Sequence, residues 1–151
     1  MQINLISIQK NNNDEFSKLN EHYHKLIKKF SNLSDISIFN NTIANAQSNN
    51  ANEAKKTYTK VLLPHKKGFC IALDEKGQEF TSIEFASFLQ DKNEISFFIG
   101  GAYGFERAFL NQMQISISLS KMTMPHKFIK TILLEQIYRA FCINANHPYH
   151  K

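Results

Sequence analysis

The last six residues, NHPYHK, set a phenol beside an imidazole at Tyr149 and His150. Tyr149 offers a ring that can stack on a base and a hydroxyl that can hydrogen-bond it. His150 accepts a proton near neutral pH, and Pro148 stiffens the approach of both. The plainer alternative is a frayed terminus, the common fate of chain ends. A metal held by His147 and His150 is not expected, because no further ligand is evident. Upstream, Arg139 follows Glu135 by four residues, a spacing that on a helix yields either an internal ion pair or an arginine available to a substrate. His126, directly after Pro125, is either a helix-start residue or a site residue.

A second stretch, SFFIGGAYGFE at residues 96–106, holds Gly100, Gly101 and Gly104, three of the five glycines in the chain. A strand running into a glycine turn and then a helix is the usual layout of ligand sites in α/β sheets. Neither familiar phosphate-binding version is present: there is no GxxxxGK[ST], and GGAYG lacks the GxGxxG spacing. By itself the turn reads equally well as purely structural.

The surrounding pattern says which elements hold these groups. INLISI, DISIFN, GFCIALD, EISFFIGG and ISISLS read as strands, the central ones apolar on both faces. Phe16, Leu19, Tyr23, Leu26, Ile27 and Phe30 recur at helical spacing. NNTIANAQSNNANEA lacks apolar periodicity, so its first part reads as a mobile loop and its end as the start of a helix from about Ala51 to Leu63, closed by Pro64. After a turn at EKGQ, Thr81 and Glu84 have capping-box spacing and open a helix carrying Ile83, Ala86 and Leu89. GFERAFLNQM is a short helix, and Pro125 opens a final helix running to about Asn144. On that helix Ile129, Leu133, Ile137 and Phe141 form an apolar stripe, widened by Phe128 and Ile132. Strands alternating with helices predict a mainly parallel sheet flanked by helices, in one domain spanning residues 1–151.

Composition narrows the class. Hydrophobic residues are 42% and charged residues 21% of the 151, the profile of a globular protein rather than a disordered one. No apolar run nears the roughly 20 residues needed to cross a bilayer. MQINLISIQK lacks a signal peptide's features, so the expected location is cytoplasmic. Cys70 and Cys142 lie in apolar runs and read as core residues. The net charge of +5 is uneven: from Leu119 onward five basic groups face one acid, whereas residues 31–118 carry 8 basic and 9 acidic groups. The basic end suggests a nucleic-acid partner, and the middle of the chain has no apparent reason to seek polyanions.

Two further loops end at the same sheet edge as the glycine turn, ALDEKGQ and LSKMTMPH. If the three strands are neighbours, Leu73, Gly100 and the segment from Leu119 to Met124 line one crevice. Its apolar walls and main-chain polar groups suit a flat base such as adenine better than a triphosphate.

LDEKG, SIEFA, FFIGGAYG, LSKMTMPH, LLEQIYRAF and HPYHK resemble, in order and spacing, the RlmH family, the smallest of the SPOUT methyltransferases. The match covers roughly the second half of the chain. The resemblance implies a SPOUT α/β knot whose C-terminal segment threads a trefoil and forms a pocket for S-adenosylmethionine. It implies a homodimer that methylates N3 of a pseudouridine in helix 69 of 23S ribosomal RNA. Carried over residue by residue, the cofactor contacts would be Leu73, Gly100, Gly101, Leu119, Ser120, Lys121, Met122, Thr123 and Met124. The two glycines would let backbone approach the cofactor and a crossing strand together.

Within that resemblance Arg139, Tyr149 and His150 are the expected catalytic residues, with His126, His147 and Lys151 contacting substrate. Family members commonly carry arginine where Lys130 stands here, so no bidentate phosphate contact is assigned to it. The rival readings are a ribosome-binding protein that keeps the fold without turnover, and a SPOUT enzyme acting on another RNA.

Overall fold

The computed structural model describes residues 1–151. Five strands form one parallel sheet: β1 (Gln2–Ile8), β2 (Asn32–Ile38), β3 (Phe69–Glu79), β4 (Glu94–Ile99) and β5 (Ile115–Ser118), in the order β2-β1-β4-β3-β5. β1 and β4 are the central strands, and their runs from Ile3 to Ile8 and Ile95 to Ile99 are buried throughout. That is why their apolar residues point to both faces, with Asn4, Ser7 and Ser96 as buried polar exceptions.

Helices cover both faces. On one, α1 (Glu15–Ile27), α4 (Ser82–Gln90) and α6 (His126–Asn144) pack Ile27, Phe85, Leu89, Leu133 and Ile137 onto Leu5, Phe97 and Ile71. On the other, α2 (Asn41–Asn49), α3 (Ala51–Leu62) and α5 (Arg107–Leu110) pack Ile43, Tyr58, Leu62 and Phe109 onto Ile6, Phe98 and Ala72. Register aligns these layers, with Leu5 beside Phe97 and Phe97 beside Ile71. Cys70 and Cys142 are unpaired thiols buried on opposite faces of the sheet.

Charge pairs fix α1 to α6. Asp14, the N-cap of α1, accepts from the Ser17 amide at 3.0 Å and meets Lys127 Nζ at 2.5 Å. Deeper, Asp35 of β2 lies 2.6 Å from Lys130 Nζ and 2.8 Å from His24 Nε2. Burial alone would raise the Asp35 pKa, but hydrogen bonds and charge from His24 and Lys130 outweigh it and hold the carboxyl below its usual range. Lys130 is thus a buried structural cation, 3% exposed.

Four expectations change. The stretch read as a mobile loop is helix α2, because each asparagine at its ends acts as a cap. Asn40 Oδ1 accepts from the Ile43 amide and Asn50 Oδ1 from the Glu53 amide, both at 2.9 Å, while Ile43 and Ala46 bury its inner side. The turn at EKGQ is an excursion inside β3: Ile117 of β5 pairs with both Leu73 and Gln78, and the residues between them arch outward. Gly77 closes the arch where a Cβ would lie 2.6 Å from the Ser116 carbonyl. α5 is only four residues long, since Glu106 is its N-cap, Phe105 lies before it and the chain turns from Asn111 onward. Ile83, Leu19 and Phe128 do not reach the core; they are 62%, 49% and 49% exposed.

Candidate functional site

β3, β4 and β5 are adjacent, with Leu73 beside both Ile99 and Ile117, so the loops leaving their C-terminal ends converge. They enclose a cleft of about 950 Å³. Leu73, Ile99, Leu119 and Ile129 supply its apolar wall; the glycine turn and the segment after β5 supply backbone. Of the expected cofactor residues, Leu73, Gly100, Gly101, Leu119, Ser120, Thr123 and Met124 line it, as does His126. Lys121 and Met122 do not: the Lys121 side chain is 86% exposed near Glu79, and Met122 is 76% exposed.

The loop after β5 is held by its own polar groups. Ser118 Oγ donates to the Ser120 carbonyl at 2.8 Å, and the Met122 amide donates to Ser120 Oγ at 3.0 Å. Thr123 Oγ1 donates to Glu75 Oε2 at 2.7 Å, tying this loop to the arch of β3. These bonds hold the loop against the arch from within the chain.

The glycines answer to the protein itself. A Cβ on Gly100 would approach the Gly104 carbonyl carbon to 3.2 Å, and one on Gly101 would lie 2.5 Å from the Tyr58 hydroxyl oxygen. Gly104 takes φ +72 with open space around it, the requirement of the turn itself. The neighbour that excludes a side chain at Gly101 is thus Tyr58 of α3 rather than a crossing strand.

His126 occupies the first turn of α6 at the cleft wall. Burial, followed by the charge of Lys127, lowers its pKa, favouring a neutral ring able to accept a proton. Sequence reasoning missed several other residues in the cleft: Asn52, Lys55, Asp74, Glu75, Tyr103 and Arg107. Asp74 and Glu75 lie inside LDEKG, Tyr103 lies inside FFIGGAYG and Arg107 directly follows SFFIGGAYGFE, which was the available signal. Asn52 and Lys55 come from α3, and nothing in the chain marks them.

The tail forms a separate cluster. Glu135 Oε1 accepts from Arg139 Nε at 3.0 Å and from the Tyr149 hydroxyl at 2.9 Å. The Arg139 guanidinium carbon lies 4.8 Å from the centre of the Tyr149 ring, and Tyr138 meets that ring edge-on at 4.7 Å. Arg139 Nη1 donates to His150 Nδ1 at 3.2 Å, which leaves Nε2 of that ring to carry its hydrogen. Burial and the Glu135 carboxylate push the Tyr149 phenol far above its ordinary pKa, so it stays protonated. Glu135 likewise raises Arg139. The tail is folded down rather than frayed: the His147 amide donates to the Cys142 carbonyl at 2.8 Å, with Asn146 at φ 55 making the reversal. His147 and Lys151 are exposed.

Arg139 is both the ion-pair partner of Glu135 and the centre of the tail cluster. Arg139, Tyr149 and His150 do not line the cleft of their own chain. Thirteen residues of helix separate His126 from Arg139, about 20 Å at the α-helical rise. A second, polar cavity of about 220 Å³ lies over Asp35, Lys127 and Lys130, whose charges are already paired.

A parallel sheet with helices on both faces and a peptide-walled cleft beyond β3, β4 and β5 is the architecture of a SPOUT methyltransferase. Residues 1–150 match the family model described as "Predicted SPOUT methyltransferase". A probable methylase family protein from Haemophilus influenzae shares the fold at TM-score 0.57 and 12% identity, over 99% of this chain and 70% of that one. Proteins called ribosomal RNA large subunit methyltransferase H are much more similar. The one from Campylobacter lari is 74% identical and one from Campylobacter jejuni 60% identical, each over 100% of both chains. The chain belongs to the RlmH family of SPOUT methyltransferases.

Proposed function

We propose that this protein methylates ribosomal RNA of the large subunit with S-adenosylmethionine, in a single domain. The observation that carries the reading is the cleft where the loops after three neighbouring strands converge. Its size falls in the range of small-molecule sites. Leu73, Ile99 and Leu119 would flank an adenine, peptide groups of the glycine turn and of residues 119–124 would hydrogen-bond it, and Asp74, Glu75 or Glu106 would oppose the donor's positive charge. The donor, when bound, supplies an electrophilic methyl group.

The finer assignment is N3 of a pseudouridine in helix 69 of 23S RNA. N3 bears a proton between two carbonyl groups, so the protein must hold the base flat and favour loss of that proton. Arg139 presents a cation and His150 an outward N–H, both suited to stabilising charge spread over the flanking carbonyl oxygens. Tyr149, held protonated on Glu135, is a support and stacking surface rather than a base. His126 is the neutral acceptor nearest the donor pocket.

One chain keeps the tail and the cleft on different parts of α6, so the reading requires a homodimer in which the tail of one subunit completes the cleft of the other. Leu19 of α1, Phe30 in the turn after it and Phe128 of α6 support it, as exposed apolar groups. The trefoil threading of the segment after Leu119 belongs to the same reading. The test is mass spectrometry of 23S RNA from cells with and without the gene. A helix 69 fragment lighter by one methyl group without it is expected; identical fragments would remove the assigned substrate.

A further inference from the structure

We infer that the outer face of α3 is a docking surface for the phosphate backbone of the RNA substrate, a reading that rests on the function proposed above. The near-neutral balance of residues 31–118 conceals this face. Residues 51–67 hold Lys55, Lys56, Lys60, Lys66 and Lys67 against the single acid Glu53. Ala54, Tyr58 and Leu62 bury one side of the helix, and Lys56 and Lys60, two positions on from Ala54 and Tyr58, point away from it.

None of Lys55, Lys56, Lys60 or Lys67 belongs to an ion pair, although Lys25, Lys121, Lys127 and Lys130 each do. Lys56 and Lys60 are four apart on one helix face, an arrangement that repels itself and gains nothing within the fold. A polyanion lying along the helix would relieve that repulsion and release its own counterions. The surface also adjoins the proposed site, because Lys55 and Asn52 of the same helix line the cleft. Tyr58 seats α3 against Gly101, so the helix is held in fixed register with the cleft floor. A strand whose backbone follows Lys60 and Lys56 would be led to Lys55 and the cleft mouth.

The experiment compares the unmodified protein with Lys56→Gln/Lys60→Gln, the charge-keeping Lys56→Arg/Lys60→Arg, and an α1 control of the same sequence spacing, Lys25→Gln in the last turn of α1 with Lys29→Gln in the turn after it. Each is cosedimented with 70S ribosomes from cells lacking the gene, over a series of monovalent salt concentrations at fixed magnesium. For the glutamine pair in α3, affinity should fall about tenfold and the slope of log K against log salt should shrink by roughly 1.4 to 1.8. The arginine pair and the α1 control should keep affinity and slope close to those of the unmodified protein. Calorimetric titration with S-adenosylmethionine should give the same Kd for all four proteins. An unchanged slope in the α3 glutamine pair, or an equal loss in the α1 control, would overturn the docking face. Sedimentation decides this independently of turnover: an unmodified protein that left 23S RNA unmethylated would sink the assigned reaction, not the docking result.

Discussion

Glu135 organises the proposed catalytic cluster by accepting from both Arg139 and Tyr149, which fixes the orientation of both side chains. Preorganised donors act by opposing charge that develops in the transition state. Arg139→Gln should therefore lower kcat about 100-fold while the Kd for S-adenosylmethionine stays unchanged, because Arg139 is assigned to the RNA base and the donor contacts are assigned to Leu73, the glycine turn and residues 119–124. Single-turnover methylation and calorimetry measure the two quantities, and a weakened donor Kd with intact kcat would refute the assignment. At this scale the sequence was informative about residue types and less so about partners. The spacing of Glu135 and Arg139 left ion pair and site residue as alternatives, and the fold makes them one arrangement. For Gly101 the motif was visible but its neighbour was not, since Tyr58 lies 43 positions earlier in the chain.

Among the elements, the junction of α2 and α3 depends most on one side chain. Asn50 ends α2 by donating its backbone N–H to the Ala46 carbonyl at 3.3 Å and opens α3 by accepting from the Glu53 amide. Asn50→Ala removes the cap and should cost about 1 kcal/mol, lowering Tm by roughly 2–4 °C. Asn50→Asp, which keeps the acceptor, should restore most of it; thermal denaturation of the two variants that gave equal midpoints would refute the cap's role. Strand identity and order of helices were legible because apolar runs and helical spacing reflect burial directly. Helix α2 was not, because asparagine is as common in turns as at caps and only neighbouring backbone reveals which role it takes. The arch in β3 was half visible: EKGQ signals a turn, but not that β5 recaptures the chain beyond it.

For the whole molecule, the separation of cleft and tail along α6 makes subunit number decisive. Light scattering at working concentration should give twice the mass of one chain, and a monomer that retained full activity would exclude a shared site. The cleft was legible in part: the apolar pattern marked the strands that precede its residues, their adjacency stood as a condition, and the sheet order meets it. That the tail folds back onto Glu135 and Arg139 could not be read, since motif spacing along a chain carries no information about where a terminus docks or which subunit a helix end serves. The two thiols add a different consequence. Cys70 and Cys142 are sealed beneath separate helical layers, 2% and 0% exposed, and burial also holds Cys70 in its less nucleophilic protonated form. Oxidants that attack thiols meet none within reach while the layers stay closed, and damage at either cysteine therefore becomes a chemical record that the protein had opened.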